Sequence, residues 1–230
     1  LGVYRFSVSW PRLFPEGTGT RNQPGFDFYS RLVDACLARG IEPWPCLYHW
    51  DLPQALEDRG GWSNRAVAGW FADYADAALR TLGDRVPCVA LLNEPGIFTA
   101  LGYMAGMHAP GVRDVARYGA AAHHSGLASA AAFHAVRAAA PSVRIGTVVA
   151  INPAVPATDR PEDVAAAAVA DAALNQMFAD GLLLGSYPQA MAPLLAPHVE
   201  AGDMAAWGAM IDAALRERWS LAQPPAASEA

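Results

Sequence analysis

From Val3 to Trp10 the chain alternates apolar and polar residues and stops at Pro11, a period of two that predicts a half-buried strand. The period then lengthens. Phe28, Leu32, Val33 and Cys36 share one helical face between Phe26 and Arg39, and Gly40 closes the helix. Ile41 to Tyr48 reads as a second strand, with Pro43 and Pro45 marking its entry, and a loop is predicted from His49 to Asn64. Val67, Trp70, Phe71, Tyr74 and Ala78 recur at helical spacing through Arg65 to Leu82, and Val86 to Asn93 is a third strand. The glycine-rich stretch after Pro95 reads as a long loop, followed by an alanine-rich helix to about Ala140. Val143 to Ile151 is a fourth strand, and a last strong helix is expected from about Asp163 to Leu184.

Strands that alternate with helices imply a parallel sheet covered by helices. Two architectures compete, a closed (β/α)8 barrel and an open doubly wound sheet. The open sheet would show a glycine-rich phosphate turn after its first strand; Gly17-Thr18-Gly19 lacks the third glycine and reads as a plain turn. Arg5 lies within a strand, whereas His49, Asn93 and Glu94 lie at the C-terminal ends of strands, the face that holds the active site in a barrel. The expected fold is therefore α/β, an incomplete (β/α)8 barrel with parallel strands and outer helices. Strand starts near Val3, Pro43, Val86 and Val143 imply roughly 350 to 400 residues for eight such units, and the chain has 230. Residues 1–200 are expected to form the partial barrel. Residues 201–230, rich in alanine and proline, are expected to be partly helical or disordered, with the run from Gln223 to Ala227 as a disordered tail.

Composition narrows the function. Hydrophobic residues make up 53% and charged residues 17%, which fits a globular domain and not a disordered chain. A net charge of −6 with no basic run leaves no footprint for nucleic acid. No stretch is apolar for long enough to span a bilayer. Cys36, Cys46 and Cys88 are odd in number and lack metal-ligand spacing, so reduced thiols and a cytoplasmic location are expected, with no metal. The opening LGVYRFSVSW begins inside a strand-like run without Met, which reads as a chain whose beginning is missing; any targeting signal would lie ahead of it.

Three segments carry chemistry. Asn93-Glu94-Pro95 puts a carboxylate and an amide where a buried strand ends, a good position for a proton donor. The loop His49-Trp50-Asp51-Leu52-Pro53-Gln54 gathers an imidazole, an indole and an amide. Sugars are recognised by such groups, through directional hydrogen bonds and an aromatic face against their C–H surface. Arg5 stands in mid-strand, where a permanent charge must face a polar lumen or a carboxylate. Asp51 reads as loop structure, and His123 and His124, adjacent on a helix, face different ways and read as no metal site.

These segments together resemble glycoside hydrolase family 1, the retaining β-glucosidase family. The similarity runs through YRFSVSWPRLFPEGTG, GIEPWPCLYHWDLPQALEDRGGW, LGDRV, LLNEP and GYMAGMHAPGVRD, in order over most of residues 1 to 190. The resemblance implies that Glu94 is the acid/base and that Asn93 binds a sugar 2-hydroxyl. It implies that His49 and Trp50 line the same subsite, that Arg5 contacts the nucleophile carboxylate, and that no cofactor is needed. The implied substrate is a β-glucoside or short β-linked oligosaccharide. The chain departs from the family pattern at Val89, Leu91 and Gly96, where the family has tryptophan, threonine and an aromatic.

The family's nucleophile is a glutamate followed by Asn-Gly, and none of Glu162, Glu200, Glu217 or Glu229 is so followed. The resemblance thus covers about the second to fifth βα units and supplies no nucleophile. General acid catalysis alone gives about 10²- to 10⁴-fold acceleration, too little for a glycoside. The chain by itself is expected to be inactive, and to self-associate through open barrel edges and uncovered apolar lumen residues.

Overall fold

A computed structural model describes residues 1–222, and side chains as far as residue 214. The expected tail from Gln223 to Ala227 lies outside the described residues. Four parallel strands, β1 (Val3–Ser7), β2 (Glu42–Tyr48), β3 (Cys88–Asn93) and β4 (Arg144–Val148), form one sheet in the order β1-β2-β3-β4. Chain order and spatial order are the same. A doubly wound sheet reverses direction part-way across, whereas a barrel wall does not, so the sheet is a segment of barrel.

Helices fill the connections. The short α1 (Trp10–Leu13) precedes α2 (Gln23–Leu37); α3 (Gln54–Glu57) and α4 (Val67–Leu82) lead to β3; and α5 (Pro95–Thr99) and α6 (Val115–Ala139) lead to β4. Beyond β4 come α7 (Pro161–Asp171), α8 (Met177–Leu184), the single-turn α9 (Ala192–Leu195) and α10 (Asp203–Ala222). No helix among the described residues is long and apolar enough to cross a membrane.

Two sequence expectations are corrected. The first strand ends at Ser7, not Trp10, because Trp10 opens α1 and buries its ring completely, stacked on Tyr74 of α4 at 4.7 Å. The segment after Pro95 is not a loop: Pro95 starts α5, which runs on as a π-helical turn over Ala100–Met104. The helix expected near Asp163 to Leu184 is present as α7 and α8 with a second π-helical turn, Ala172–Gln176, between them.

One face of the sheet carries the core. Phe6 stacks on Tyr29 of α2, and Trp10, Phe71, Tyr74 and Phe26 continue the aromatic layer between sheet and helices. Helices α4 and α6 pack on one another, and the closeness is set by alanines: Ala75 and Ala78 on one, Ala121 and Ala128 on the other, all fully buried. The alternating positions Arg5 and Ser7 are exposed on the opposite face, where Glu42 also pairs with Arg144 at 3.5 Å. This uncovered face therefore bears charged and polar groups, not only the apolar residues expected of it.

A second polar group lies deep between helices. Asp203, at the start of α10, takes both Arg65 guanidinium nitrogens and accepts the Glu200 N–H at 2.8 Å. His123 of α6, fully buried, donates from Nε2 to Asp203 at 2.8 Å and accepts the Tyr187 hydroxyl at Nδ1, also at 2.8 Å. His124 turns the other way and donates from Nδ1 to the Trp62 carbonyl at 3.0 Å.

Candidate active site

Mid-strand Arg5 of β1 and the residues at the C-terminal ends of β2 and β3 come together: Arg5, His49, Trp50, Asn93 and Glu94. Asn93 is 2% exposed and is held from two sides. Arg5 Nη1 donates to its Oδ1 at 2.9 Å, and the Trp50 indole N–H donates to its carbonyl at 2.8 Å. His49 Nδ1 meets the Ser7 hydroxyl at 2.7 Å, and its ring stands edge-on to Trp50 at 5.3 Å. Asn93 is thus held by β1 and by the loop after β2, and His49 of that loop by Ser7 of β1.

The backbone is strained at two of these residues. Trp50 has φ of 75° and Glu94 has φ of 48°, the left-handed region that side chains other than glycine seldom adopt. The Glu94 N–H is bonded to the Val148 carbonyl at 2.7 Å, and its own carbonyl accepts from Ile97 and Phe98 at the start of α5. The turn between strand and helix is therefore fixed at both ends. Among the described residues none hydrogen-bonds the half-buried Glu94 carboxylate. Strain of this kind, on a residue whose side-chain carboxylate is not hydrogen-bonded within the described residues, is characteristic of functional positions.

Beneath the loop sits Asp51. Burial lifts its carboxyl above the usual range, opposed by the Ser9 hydroxyl and by backbone N–H groups at Asp51, His49 and Trp10, and its Oδ1 has no partner among the described residues. Its contacts tie the loop to the start of α1 at Ser9 and Trp10. Gln54 does not join the cluster; it lies in α3 and bonds Asp58 one turn on.

Two contributors went unread in the sequence. Ser7 is one pleat beyond Arg5 and so shares its face, a signal present in the strand alternation. His108 packs its ring on Trp50 at 5.2 Å, and nothing in its local sequence marks that contact. The departures from the family pattern also find an account here. Val89 and Leu91 are buried in the core, and the Phe178 ring occupies the space over Gly96, 3.2 Å from where a Cβ would stand.

The model for glycosyl hydrolase family 1 matches residues 1–214. The chain belongs to that family. Among curated relatives, it is 41% identical over 186 residues to Beta-glucosidase A of Acetivibrio thermocellus, covering 81% of this chain and 42% of that protein. It is 43% identical over 209 residues to a beta-glucosidase of Agrobacterium sp., covering 89% of this chain and 46% of that protein. Among solved structures, virulence factor SghA from Agrobacterium tumefaciens superposes with a TM-score of 0.87 at 41% identity, over 90% of this chain and 47% of that one. The family 1 β-glucosidase from Thermotoga maritima superposes with a TM-score of 0.86 at 37% identity, over 92% and 48%. The chain thus spans a little under half the length of these family 1 proteins, and its sheet is a part of their barrel.

Proposed function

We propose that this chain carries the acid/base side of a retaining β-glucosidase site. In this reading Glu94 gives a proton to the leaving glycosidic oxygen while a second carboxylate attacks the anomeric carbon. Glu94 then takes a proton from water to release the sugar. Asn93 hydrogen-bonds the 2-hydroxyl, His49 and Trp50 contact the ring, and Arg5 orients Asn93 and the nucleophile. The substrate class is a β-glucoside or short β-linked oligosaccharide, in keeping with the relatives' names and with a complex of SghA with its substrate analog salicin. The single observation that carries the reading is the strained Glu94 turn, with its carboxylate unclaimed beside an Asn93 fixed by Arg5 and Trp50.

The 230 residues alone are proposed to lack turnover, since one carboxylate cannot perform both steps. The purified chain should release no aryl alcohol from an aryl β-glucoside above background. Turnover that disappears in Glu94→Gln would overturn this. Titration with cellobiose should show weak binding, weakened further in His49→Ala and Asn93→Ala; equal affinity in all three would remove the sugar site.

A second reading, a non-catalytic or barrel-completing fragment, is favoured by one observation. β1 and β4 are the edges of the sheet, and Tyr4 on β1 is 43% exposed. Such edges recruit another strand, so the purified chain should run as a dimer or larger in light scattering.

A further inference from the structure

Below the candidate site, a polar lock joins the two segments that form it. Glu57, at the end of α3, has a side chain only 15% exposed and both carboxylate oxygens engaged. Oε2 accepts the Tyr103 hydroxyl at 2.6 Å, and Oε1 accepts Arg117 Nη2 at 3.1 Å. The same Tyr103 oxygen accepts the Trp62 N–H at 3.0 Å, while Arg117 Nε donates to Ser63 Oγ at 3.0 Å. Burial, with the Glu57 carboxylate beside it, pushes the Tyr103 phenol above its usual range, so it remains a donor. Gly61 leaves room for this arrangement. A Cβ there would stand 1.9 Å from Glu57 Oε2 and 2.6 Å from the Tyr103 oxygen, at a φ of +53°.

The partners come from different parts of the chain. Glu57, Trp62 and Ser63 belong to the segment that begins at His49 and Trp50. Tyr103 belongs to the π-helical turn that continues from Glu94 through α5, and π-helical turns are frequent at functional sites. Arg117 anchors both on α6. Two aromatic contacts lead upward from the lock: Trp62 packs on Tyr48, next to His49, and on Phe98, whose N–H is bonded to Glu94. Left-handed residues such as Trp50 and Glu94 persist only where the surroundings over-determine them.

We propose that Glu57, Tyr103 and Arg117 are positioning residues that fix the His49–Trp50 loop against the Asn93–Glu94 turn; as a role in catalysis this rests on the sugar-site reading above. The direct readout is the Trp50 indole N–H, which is bonded to the Asn93 carbonyl. In NMR exchange on the full chain, Tyr103→Phe should speed exchange of that indole N–H about tenfold, the weight of one hydrogen bond to a charged group. It should also shift the Glu94 amide signal, while core amides of β2 and β3 keep their protection. Glu57→Ala should do the same. Glu57→Gln, which keeps an acceptor for Tyr103 but sets an amide NH2 against Arg117, should fall between wild type and Glu57→Ala. Arg117→Leu, at a side chain already 36% exposed, is the milder variant if the others fail to fold; it should loosen both signals together.

A freed Trp62 amide with unchanged Trp50 and Glu94 signals would overturn the proposal. Cellobiose titration of the same samples separates the two readings. Coupled signals without binding leave the lock standing and sink the sugar site, whereas binding with uncoupled signals does the reverse.

Discussion

Two of the molecule's polar clusters are built in opposite ways. Between α4, α6 and α10, His123 is fully buried and Asp203 nearly so, and the titrating atoms of both have partners. At the strand ends, Trp50 and Glu94 are half-buried, their backbone is strained, and the Glu94 carboxylate has no hydrogen-bond partner among the described residues. In the first cluster the His123 and Asp203 side chains are already engaged with one another and with Arg65 and Tyr187. The second keeps its capacity open and bears a conformational cost for doing so. Burial of polar residues therefore does not distinguish structural from functional clusters here; unspent valence does.

The largest test of that contrast is removal of one member from each cluster. Asp203→Ala leaves Arg65 without its buried partner and His123 with an unmet donor. It should cost about 3 kcal/mol in urea unfolding, the low end for a broken buried pair because Arg65 still reaches solvent. Glu94→Gln should stay within about 0.5 kcal/mol of the parent. Equal losses would erase the distinction.

Acid gives the next largest effect. Burial holds His124 down at about 4, and burial lowers His123 also. Between about 4 and the unfolded value near 6.5, the unfolded chain binds a proton that the folded chain refuses. Stability is therefore full above pH 6.5 and falls as pH drops, by about 2 kcal/mol at pH 5 for His124 alone. Asp203, held below the usual carboxylate range chiefly by Arg65, adds a loss in the same direction only at lower pH. Melting temperatures taken at pH 7 and pH 5 should differ, and His124→Asn should narrow the gap. A flat wild-type profile would contradict the closed state of this cluster.

The sequence disclosed the strand-end site better than the buried His123–Asp203 cluster, for a physical reason. Strand ends announce themselves through periodicity, so His49, Asn93 and Glu94 could be placed at one end of the sheet before any coordinates, while Arg5 was marked by its charge in mid-strand. The His123–Asp203 pair joins residues 80 positions apart on two helices, and no local pattern encodes that separation. His123 and His124 did read correctly as pointing different ways. The glycine-rich stretch after Pro95 reads as a loop, but its glycines serve another purpose. Gly102 is there for closeness: a Cβ would stand 2.6 Å from the Ala109 carbonyl oxygen, so the glycine permits packing within a π-helical turn. Trp10 misled in the opposite sense, continuing the strand alternation by residue type while already belonging to a helix.

The smallest expected effect is also the most discriminating. If Glu94 is held in the left-handed region at a cost, glycine at that position should relieve it, since glycine adopts positive φ without a clash. Glycine also loses more freedom on folding, which offsets part of the gain. Glu94 precedes Pro95 at the start of α5 and makes no side-chain cap there, so no capping bond is lost with the carboxylate. Glu94→Gly should therefore raise stability by about 0.5 to 1 kcal/mol in urea unfolding. Glycine in place of a residue with ordinary backbone angles does the opposite. Ala121→Gly, in the middle of α6, should lower stability by about 1 kcal/mol or more. A loss at position 94 of the size seen at 121 would mean that the carboxylate is stabilising the fold, and the strand-end cluster would then belong with the buried one.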